Sequence, residues 1–342
     1  MKAVVLVGGR GTRLRPLTLR TPKQMLPVAG RPLIERVLAH LAGHGVDEVV
    51  LSLGYKPDAF RRAYPDGTCA GVRLVYAVEE EPLDTAGAIR FAATEAGVDE
   101  RFLVVNGDVL SDLDITALAA AHARAAESGG ALATIALAPV EDPSSFGVVS
   151  LDDQSRVTAF VEKPSPGEAP SDLVNVGFYV LEPEVLARIP AEGRVNIERE
   201  TFPALVADGL LRGCRQECWW SDVGTPERYL AVSLELLDQG AEGAEAVAAS
   251  AVVASSAQVS RSLLGPGCRI GRNARVEGSI IFSRAIVGNG AQVHDSIVGA
   301  SAVVGDATTV ASLSVLGNDV EVEGGTTLSG VLLPPPEEWP PA

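Results

Sequence analysis

In the last third of the chain, aliphatic residues recur at Leu264, Ile270, Val276, Ile281, Val287, Val293, Val298, Val304, Val310, Leu316, Val322 and Leu328. The step is six residues, with two steps of five. Several anchors are followed directly by glycine, as in Ile270-Gly271, Val287-Gly288, Val298-Gly299, Val304-Gly305 and Leu316-Gly317. A hexapeptide period of this kind reads as a parallel β-helix, in which each coil buries its aliphatic corners only against its neighbours. The repeat is expected over 251–333. A small-residue, acidic linker (239–250) precedes it, and a proline-rich tail (334–342) that cannot continue a strand follows it.

A chain of 342 residues exceeds one ordinary core, so a second domain is expected over 1–238. There the pattern alternates strand and helix. Val4 to Val7 is a short β-branched run, and Leu33, Ile34, Val37, Leu38 and Leu41 recur at helical spacing up to Gly45. Strands are expected at 48–53, 72–78, 102–105 and 131–137, and helices at 57–64, 85–95 and 115–126. Such alternation implies an α/β fold with a mostly parallel sheet, helices on both faces, and ligands beyond the C-terminal ends of the strands. After Val140 the style changes. Phe146–Leu151 and Arg156–Val161 flank the turn Asp152-Asp153-Gln154-Ser155, the mark of an antiparallel pair. A strand at 178–181, a helix at 196–208 and a strand ended by Trp219-Trp220 complete a lobe expected to bind sugar.

The first strand runs into Gly8-Gly9-Arg10-Gly11-Thr12-Arg13-Leu14-Arg15-Pro16-Leu17, and Thr21-Pro22-Lys23-Gln24-Met25-Leu26-Pro27 follows. Glycines let backbone N–H groups form a nest for an anion, and Arg13, Arg15 and Lys23 put cations around it. Up to Arg36 there are eight Lys or Arg and one Glu, in a chain of net charge −16. A local positive pocket on an acidic protein points to a small polyanion and away from nucleic acid. The spacing is not the G-x-G-x-x-G of a dinucleotide site, and Pro16 and Pro22 interrupt any helix; the G-x-x-x-x-G-K-[ST] of a P-loop is absent.

This stretch resembles the signature of the sugar-1-phosphate nucleotidyltransferases, G-G-x-G-T-R-L-x-P-L-T with a downstream P-K-x-x-L-P, matched at Gly8 to Thr18 and Pro22 to Pro27. The resemblance implies a Rossmann-like mixed, mostly parallel sheet followed by a left-handed parallel β-helix. It implies a reaction in which a sugar 1-phosphate attacks the α-phosphorus of a nucleoside triphosphate and pyrophosphate leaves. It places the nucleotide on Leu6, Gly8, Gly9, Gly11, Thr12, Arg13, Lys23, Glu80, Gly87 and Asp108. It places the sugar phosphate on Gly147, Glu162, Lys163 and Asn175, with Arg13, Lys23 and Lys163 carrying catalysis. Asp108, in Asn106-Gly107-Asp108, and Asp222, in Trp220-Ser221-Asp222-Val223-Gly224, match the family's carboxylate pair for Mg²⁺, a usual protein contribution to a site completed by substrate phosphates.

Each assignment has a plainer alternative. Taken alone, Asp108 or Asp222 would read as a helix N-cap, as would Asp84 or Thr85; together with the glycine loop, the metal role is favoured for Asp108 and Asp222. Glu162-Lys163 in Phe160-Val161-Glu162-Lys163-Pro164 is also what a surface ion pair looks like, and Gly147 and Asn175 also suit structural turns. Asp84 in Pro82-Leu83-Asp84-Thr85-Ala86-Gly87 stands where the family often has glycine. An acidic neighbour would suit the N–H donors of guanine.

Taken with Asn196-Ile197-Glu198 and Phe202-Pro203, the motifs most resemble those of mannose-1-phosphate guanylyltransferases, so GTP and mannose 1-phosphate are the expected substrates. Glucose-1-phosphate thymidylyl-, uridylyl- and adenylyltransferases share the catalytic motifs and stay open as alternatives. A non-catalytic regulatory paralogue is a further alternative, disfavoured because Arg13, Lys23, Asp108, Lys163 and Asp222 are all present. Acyl transfer at His294 on the β-helix is another, disfavoured because no acid-base partner is evident in the coils. No run of 18 apolar residues exists and no secretory signal is evident, so no membrane partner is expected. Cys69, Cys214, Cys218 and Cys268 are scattered without metal-site spacing and read as reduced core residues of a cytoplasmic protein. The β-helix is expected to make a homo-oligomer.

Overall fold

A computed structural model of the chain describes residues 1–54, 56–165 and 167–341. It divides into two units, Met1–Gly9 with Ile34–Ser221, and Arg10–Leu33 with Asp222–Ala342. Residues 10–33, expected in the first domain, thus cluster with the chain from Asp222 onward.

The first unit is built on a ten-stranded sheet. Its strands in chain order are β1 (Lys2–Leu6), β2 (Glu48–Leu53), β3 (Thr68–Cys69), β4 (Val72–Val78), β5 (Phe102–Asn106), β6 (Ala133–Pro139), β7 (Gly147–Leu151), β8 (Val157–Glu162), β9 (Leu173–Leu181) and β10 (Leu211–Arg215). The spatial order is β8-β7-β9-β5-β1-β2-β4-β3, with β6 between β9 and β10. β1 lies parallel between β2 and β5, Val4 facing Val50 on one side and Val104 on the other. Ala3, Val4 and Val5 are fully buried there, which is why the run is apolar without alternation. The helices α1 (Leu33–Gly43), α2 (Pro57–Ala63), α3 (Asp84–Glu95) and α4 (Ile115–Gly129) fall where the apolar periodicity put them. None of the described helices is long and apolar enough to cross a membrane.

Three local expectations are corrected. The strand expected at 178–181 begins at Leu173 and is broken by a register shift between Asn175 and Tyr179. Gly177 sits at that shift with φ +88°, so the glycine that looked like a turn is a bulge inside a strand. The helix expected at 196–208 is a π turn (Ile197–Thr201) followed by a short helix, α5 (Phe202–Ala207). Pro203 has no N–H to give to the preceding turn, and the Phe202 N–H reaches back to the Ile197 carbonyl instead. Trp220 opens a strand, Trp220–Asp222, rather than ending one.

In the second unit the repeat forms three parallel five-stranded sheets, one per side of a left-handed β-helix. Hydrogen bonds join residues 17 apart, and Leu264, Ile281 and Val298 stack as one inward column. The steps of five fall at one corner, where Ser262, Ser279 and Ser296 are buried in a ladder. Ser279 N–H donates to Ser262 Oγ and Ser296 N–H to Ser279 Oγ, each at 3.1 Å. The hydroxyls supply what the shortened corner leaves unpaired in the backbone. His294 does have an acidic neighbour, Glu277 one coil away, with Nδ1 and Oε2 3.7 Å apart. The tail contains a single 3-10 turn, Pro336–Glu338, and Ala342 lies outside the described residues. All four cysteines are free thiols; Cys268 alone is buried, and Cys69, Cys214 and Cys218 are half-exposed rather than core residues.

Candidate functional site

In the first unit Leu6, Gly8, Gly9, Glu80 and Asp108 lie at or just beyond the C-terminal ends of parallel strands, whereas Gly87 lies in α3 and Asn175 within β9. Leu6 closes β1, and Gly8 and Gly9 follow it, both exposed. Glu79 is turned to this end: a Cβ on Gly8 would lie 3.9 Å from Glu79 Oε1. Ser52 Oγ donates to Glu79 Oε1 at 2.9 Å and the Leu83 N–H to Oε2 at 3.1 Å, so the carboxylate is clasped in place. Glu80 is exposed. Glu79, Glu80, Glu81, Gly87, Arg90 and Pro190 are among the residues lining a cavity of about 680 Å³. Gly87 is buried in α3, where a Cβ would stand 2.9 Å from Leu83 Cβ and 3.6 Å from the Gly193 carbonyl.

Asp84 takes φ +61°. That accounts for the departure from the family's glycine: the position needs the left-handed region, which aspartate tolerates better than most residues. Asp84 Oδ1 accepts from the Thr85 N–H at 2.7 Å and from Asn196 Nδ2 at 3.1 Å.

At the end of β5 the Gly107 N–H donates to the Leu6 carbonyl at 2.9 Å, and a Cβ there would be 2.7 Å from that oxygen. Only glycine fits, and Asp108 follows it, half-exposed. Asp108 caps no helix: α4 is capped by Asp114, whose carboxylate accepts from the Ala117 N–H.

The sugar-lobe candidates converge. Gly147 on β7 faces Glu162 on β8, and a Cβ at 147 would stand 2.8 Å from the Phe160 ring and 3.0 Å from Glu162 Oε2. Lys163 takes φ +50°, with its Nζ 3.6 Å from Glu162 Oε1. The Gly177 N–H donates to Asn175 Oδ1 at 2.9 Å, and a Cβ at 177 would meet Asn106 Nδ2 at 2.6 Å, so β5 and the β9 bulge touch through a glycine. Asn175 Nδ2 donates to the hydroxyl of Tyr179 at 2.9 Å. Tyr179 is fully buried, and burial pushes its hydroxyl far above the ordinary tyrosine range.

Sequence reasoning missed Glu198 as a participant. Its Oε1 lies 3.5 Å from the Tyr179 hydroxyl and its Oε2 accepts from Thr85 Oγ1 at 3.2 Å, while Thr85 Oγ1 accepts from the Ile197 N–H at 2.8 Å. Burial, reinforced by the nearby Glu162 carboxylate, raises its pKa. The available signal was the Asn196-Ile197-Glu198 segment itself.

In the second unit, Gly11 takes φ +60° and packs against Thr18 and Lys23: a Cβ would be 3.0 Å from Thr18 Cγ2 and 3.3 Å from Lys23 Cβ. Thr18 Oγ1 donates to the Gly11 carbonyl at 2.7 Å. Thr12 and Arg13 are exposed, Lys23 is buried, and buried Leu14 and Leu17 anchor the loop. Arg13 and Asp222 meet at Gly224, where a Cβ would be 3.3 Å from Arg13 Nη2 and 2.8 Å from Asp222 Oδ2. Asp222 is ion-paired with Arg228 and caps no helix, since Thr225 caps α6 (Pro226–Asp238). Arg15 is engaged by the C-terminal tail. Its Nη1 donates to the Pro340 carbonyl at 2.7 Å and its guanidinium lies over the Trp339 ring, because the tail offers carbonyls and an aromatic face to the planar cation.

The loop and this mixed α/β sheet place the chain among nucleotidyltransferases. The Nucleotidyl transferase family profile matches residues 2–239, and a second profile, the GMPPB C-terminal domain, matches 241–338. The chain belongs to the nucleotidyl transferase family. It is 40% identical over 284 residues to the mannose-1-phosphate guanylyltransferase of Mycobacterium tuberculosis, covering 80% of this chain and 77% of that protein. It is 37% identical over 279 residues to the mannose-1-phosphate guanyltransferase of Schizosaccharomyces pombe, covering 80% and 74%. Among solved structures, HddC from Yersinia pseudotuberculosis complexed with GMP-PN superposes with TM-score 0.57 at 26% identity, over 69% of this chain and 99% of that one.

Nucleotidyltransferases of this family use a divalent metal with a nucleoside triphosphate and a sugar phosphate. Asp108 and Asp222, the residues that the resemblance offers to a metal, are each carboxylates, the ligand type a hard cation takes; among the described residues no group of three or more His, Cys, Asp or Glu is placed to hold a metal ion.

Proposed function

We propose that the chain transfers the guanylyl group of GTP to mannose 1-phosphate, giving GDP-mannose and pyrophosphate, in the cytoplasm and with Mg²⁺. The observation that carries the base and sugar is the 40% identity to the M. tuberculosis mannose-1-phosphate guanylyltransferase over four fifths of the chain. A phosphate oxygen of the sugar 1-phosphate forms the new bond to the α-phosphorus in line. The bond from that phosphorus to the bridging oxygen of the β-phosphate breaks, and pyrophosphate leaves. Little covalent work falls to the protein, so positioning and charge neutralisation dominate.

In this reading Leu6, Gly8, Gly9, Gly11 and Thr12 cradle the nucleotide through the backbone. Arg13 and Lys23 face the charge that grows on the α-phosphate and the leaving group. Glu80, Gly87 and the clasped Glu79 border the base. Lys163 holds the attacking phosphate, and Glu162, Asn175 and the Gly147 backbone hold sugar hydroxyls. Asp108 and Asp222 hold Mg²⁺, which supplies charge neutralisation for the phosphates. The β-helix serves as a homo-oligomer surface, supported by outward-facing Val252 (58% exposed) and Ile286 (39%) on one sheet. The test is a screen of four nucleoside triphosphates against mannose and glucose 1-phosphates, reading pyrophosphate release. GTP with mannose 1-phosphate is expected to give the highest kcat/KM, and no turnover with that pair refutes the proposal.

A further inference from the structure

The stretch that carries Gly11, Thr12 and Arg13 is tied at three arginines, and each tie ends between residues 319 and 341. Arg10 Nη1 lies 3.4 Å from the Pro341 carbonyl, Arg15 Nη1 donates to the Pro340 carbonyl at 2.7 Å, and Arg20 pairs with Asp319 at 2.5 Å. Between the last two, buried Pro16 packs on a coil of the β-helix: a Cβ on Gly317 would stand 3.1 Å from Pro16 Cβ and 3.3 Å from Pro334 Cδ. Arg15 bears most directly on the nucleotide residues. Its N–H donates to the Thr12 carbonyl at 3.2 Å and closes the 3-10 turn Thr12–Leu14, on which Thr12 and Arg13 are exposed. Its guanidinium is held from outside, 5.9 Å from the centre of the Trp339 ring.

The tail is shaped to keep that ring in place. Five prolines between 334 and 341 restrict its backbone. The Glu338 N–H donates to the Pro335 carbonyl at 3.0 Å and the Trp339 N–H to the Pro336 carbonyl at 3.2 Å, which folds the segment into a hook. Trp339 Nε1 donates to the Pro334 carbonyl at 2.8 Å, so the indole is pinned by its polar edge and gives its face to a cation. A cover for the end of a solenoid needs apolar contact with the last coil. It does not need to grip an arginine of the glycine loop. Such a loop loses much backbone freedom when it closes on a ligand, and restraint beforehand lowers that cost.

We propose that Trp339 is a positioning residue for the nucleotide: with the Pro340 carbonyl it holds Arg15, and Arg15 holds the Thr12–Leu14 turn in the shape that receives the triphosphate. This rests on the nucleotidyl-transfer reading above. Without the hold, the loop has the receiving shape for only a fraction of the time, and its apparent affinity falls by that fraction. Bound GTP orders the loop itself, so turnover at saturating GTP is spared.

The experiment is steady-state kinetics and calorimetric GTP titration of the full chain as wild type, Trp339→Leu, Trp339→Phe, Arg15→Ala and the Arg15→Ala/Trp339→Leu double variant. Trp339→Leu keeps apolar bulk without a ring face. It is expected to raise the KM and Kd for GTP roughly fivefold, with kcat and the KM for mannose 1-phosphate within about twofold. Trp339→Phe restores a ring face and recovers part of the loss. The double variant binds GTP no more weakly than Arg15→Ala alone, because Trp339 acts through Arg15. Wild-type GTP affinity in Trp339→Leu, equal affinity in the Leu and Phe variants, or additive losses in the double variant overturn the proposal and leave the tail a cover for the last coil. Melting curves report folding; where Trp339→Leu does not fold, the Kd of Trp339→Phe must lie between those of wild type and Arg15→Ala. A wild type that binds GTP but turns over no pair refutes the nucleotidyl-transfer reading alone, and the titrations still decide the role of Trp339. A wild type that does neither refutes both.

Discussion

Arg13 and Asp222 approach each other across the bare α-carbon of Gly224. A methyl group there would stand 3.3 Å from Arg13 Nη2 and 2.8 Å from Asp222 Oδ2. Both obstructing atoms are ends of flexible side chains, so they can move aside at little cost to the fold. Moving aside is what a reaction dominated by positioning does not tolerate. Gly224→Ala is therefore expected to lower kcat/KM by roughly a hundredfold, in the range of losing one charge-stabilising contact, while shifting stability by less than about 1 kcal/mol. Pyrophosphate release and thermal melting on the same sample separate the two effects. A variant with near-normal turnover would show that the Arg13–Asp222 juxtaposition does not matter to the reaction.

Gly177 makes the opposite prediction, because its obstacles are not free to move. Its φ is +88°, and a methyl group on its α-carbon would stand 2.6 Å from Asn106 Nδ2. Both constraints lie inside the sheet, where β9 shifts register against β6. Gly177→Ala is expected to cost about 1–3 kcal/mol of stability. It should also displace Asn175, whose Oδ1 accepts from the Gly177 N–H. Urea unfolding reads the first effect. The KM for the sugar 1-phosphate reads the second, and it should rise while the KM for the nucleotide stays level.

How much of this could be read from the residues follows from how local each signal is. The buried parallel strand around Val4 and the hexapeptide period are local and repetitive, so they survive without tertiary information. Even the two short steps of the repeat carried meaning, since they mark the corner of the serine ladder. Asp84 was visible as an anomaly, and the structure converts the anomaly into a left-handed backbone with a carboxylate latched to Asn196. The π turn was not visible, because residues 196–208 carry the same apolar spacing whether the first turn is α or π. The tail contact of Arg15 was hidden for a different reason. The Pro340 carbonyl lies 325 residues away along the chain, with the Trp339 ring beside it, and nothing local announces either. Glu198 was missed because its partners, Thr85 and Tyr179, are distant in sequence on one side and hidden by the strand bulge on the other.

The serine ladder can be tested apart from catalysis. Ser279 Oγ accepts from the Ser296 N–H and donates to the Glu277 carbonyl at 2.7 Å, in a corner where Ser279 and Ser296 are fully buried. Ser279→Ala removes the acceptor and leaves that N–H without it. The expected cost is about 1–3 kcal/mol, the desolvation penalty of a buried donor. Each coil contacts chiefly its neighbours, so the loss should appear as faster hydrogen exchange in the coils around 279 and 296, with the amides of β1 and β5 unchanged. Uniform loss of protection over both units would mean that the ladder does not act locally.

The raised pKa of Glu198 fixes a pH dependence with a definite sign. Burial and the neighbouring Glu162 make the charged form less favourable in the folded chain than in the unfolded one. The unfolded carboxyl titrates near the ordinary glutamate value of about 4.3, the folded one above it. Below the unfolded value both states are protonated, and Glu198 leaves stability at its full level. As pH rises from there through the folded pKa, the unfolded state loses its proton first and gains relative to the folded state. Glu198 therefore lowers stability progressively across that window, and the cost persists at higher pH. Glu198→Gln abolishes the titration. Its melting temperature relative to wild type should be higher at pH 8 than at pH 4. A difference in melting temperature that stays constant with pH, or that reverses sign, would show that Glu198 is not the group holding a proton against its will.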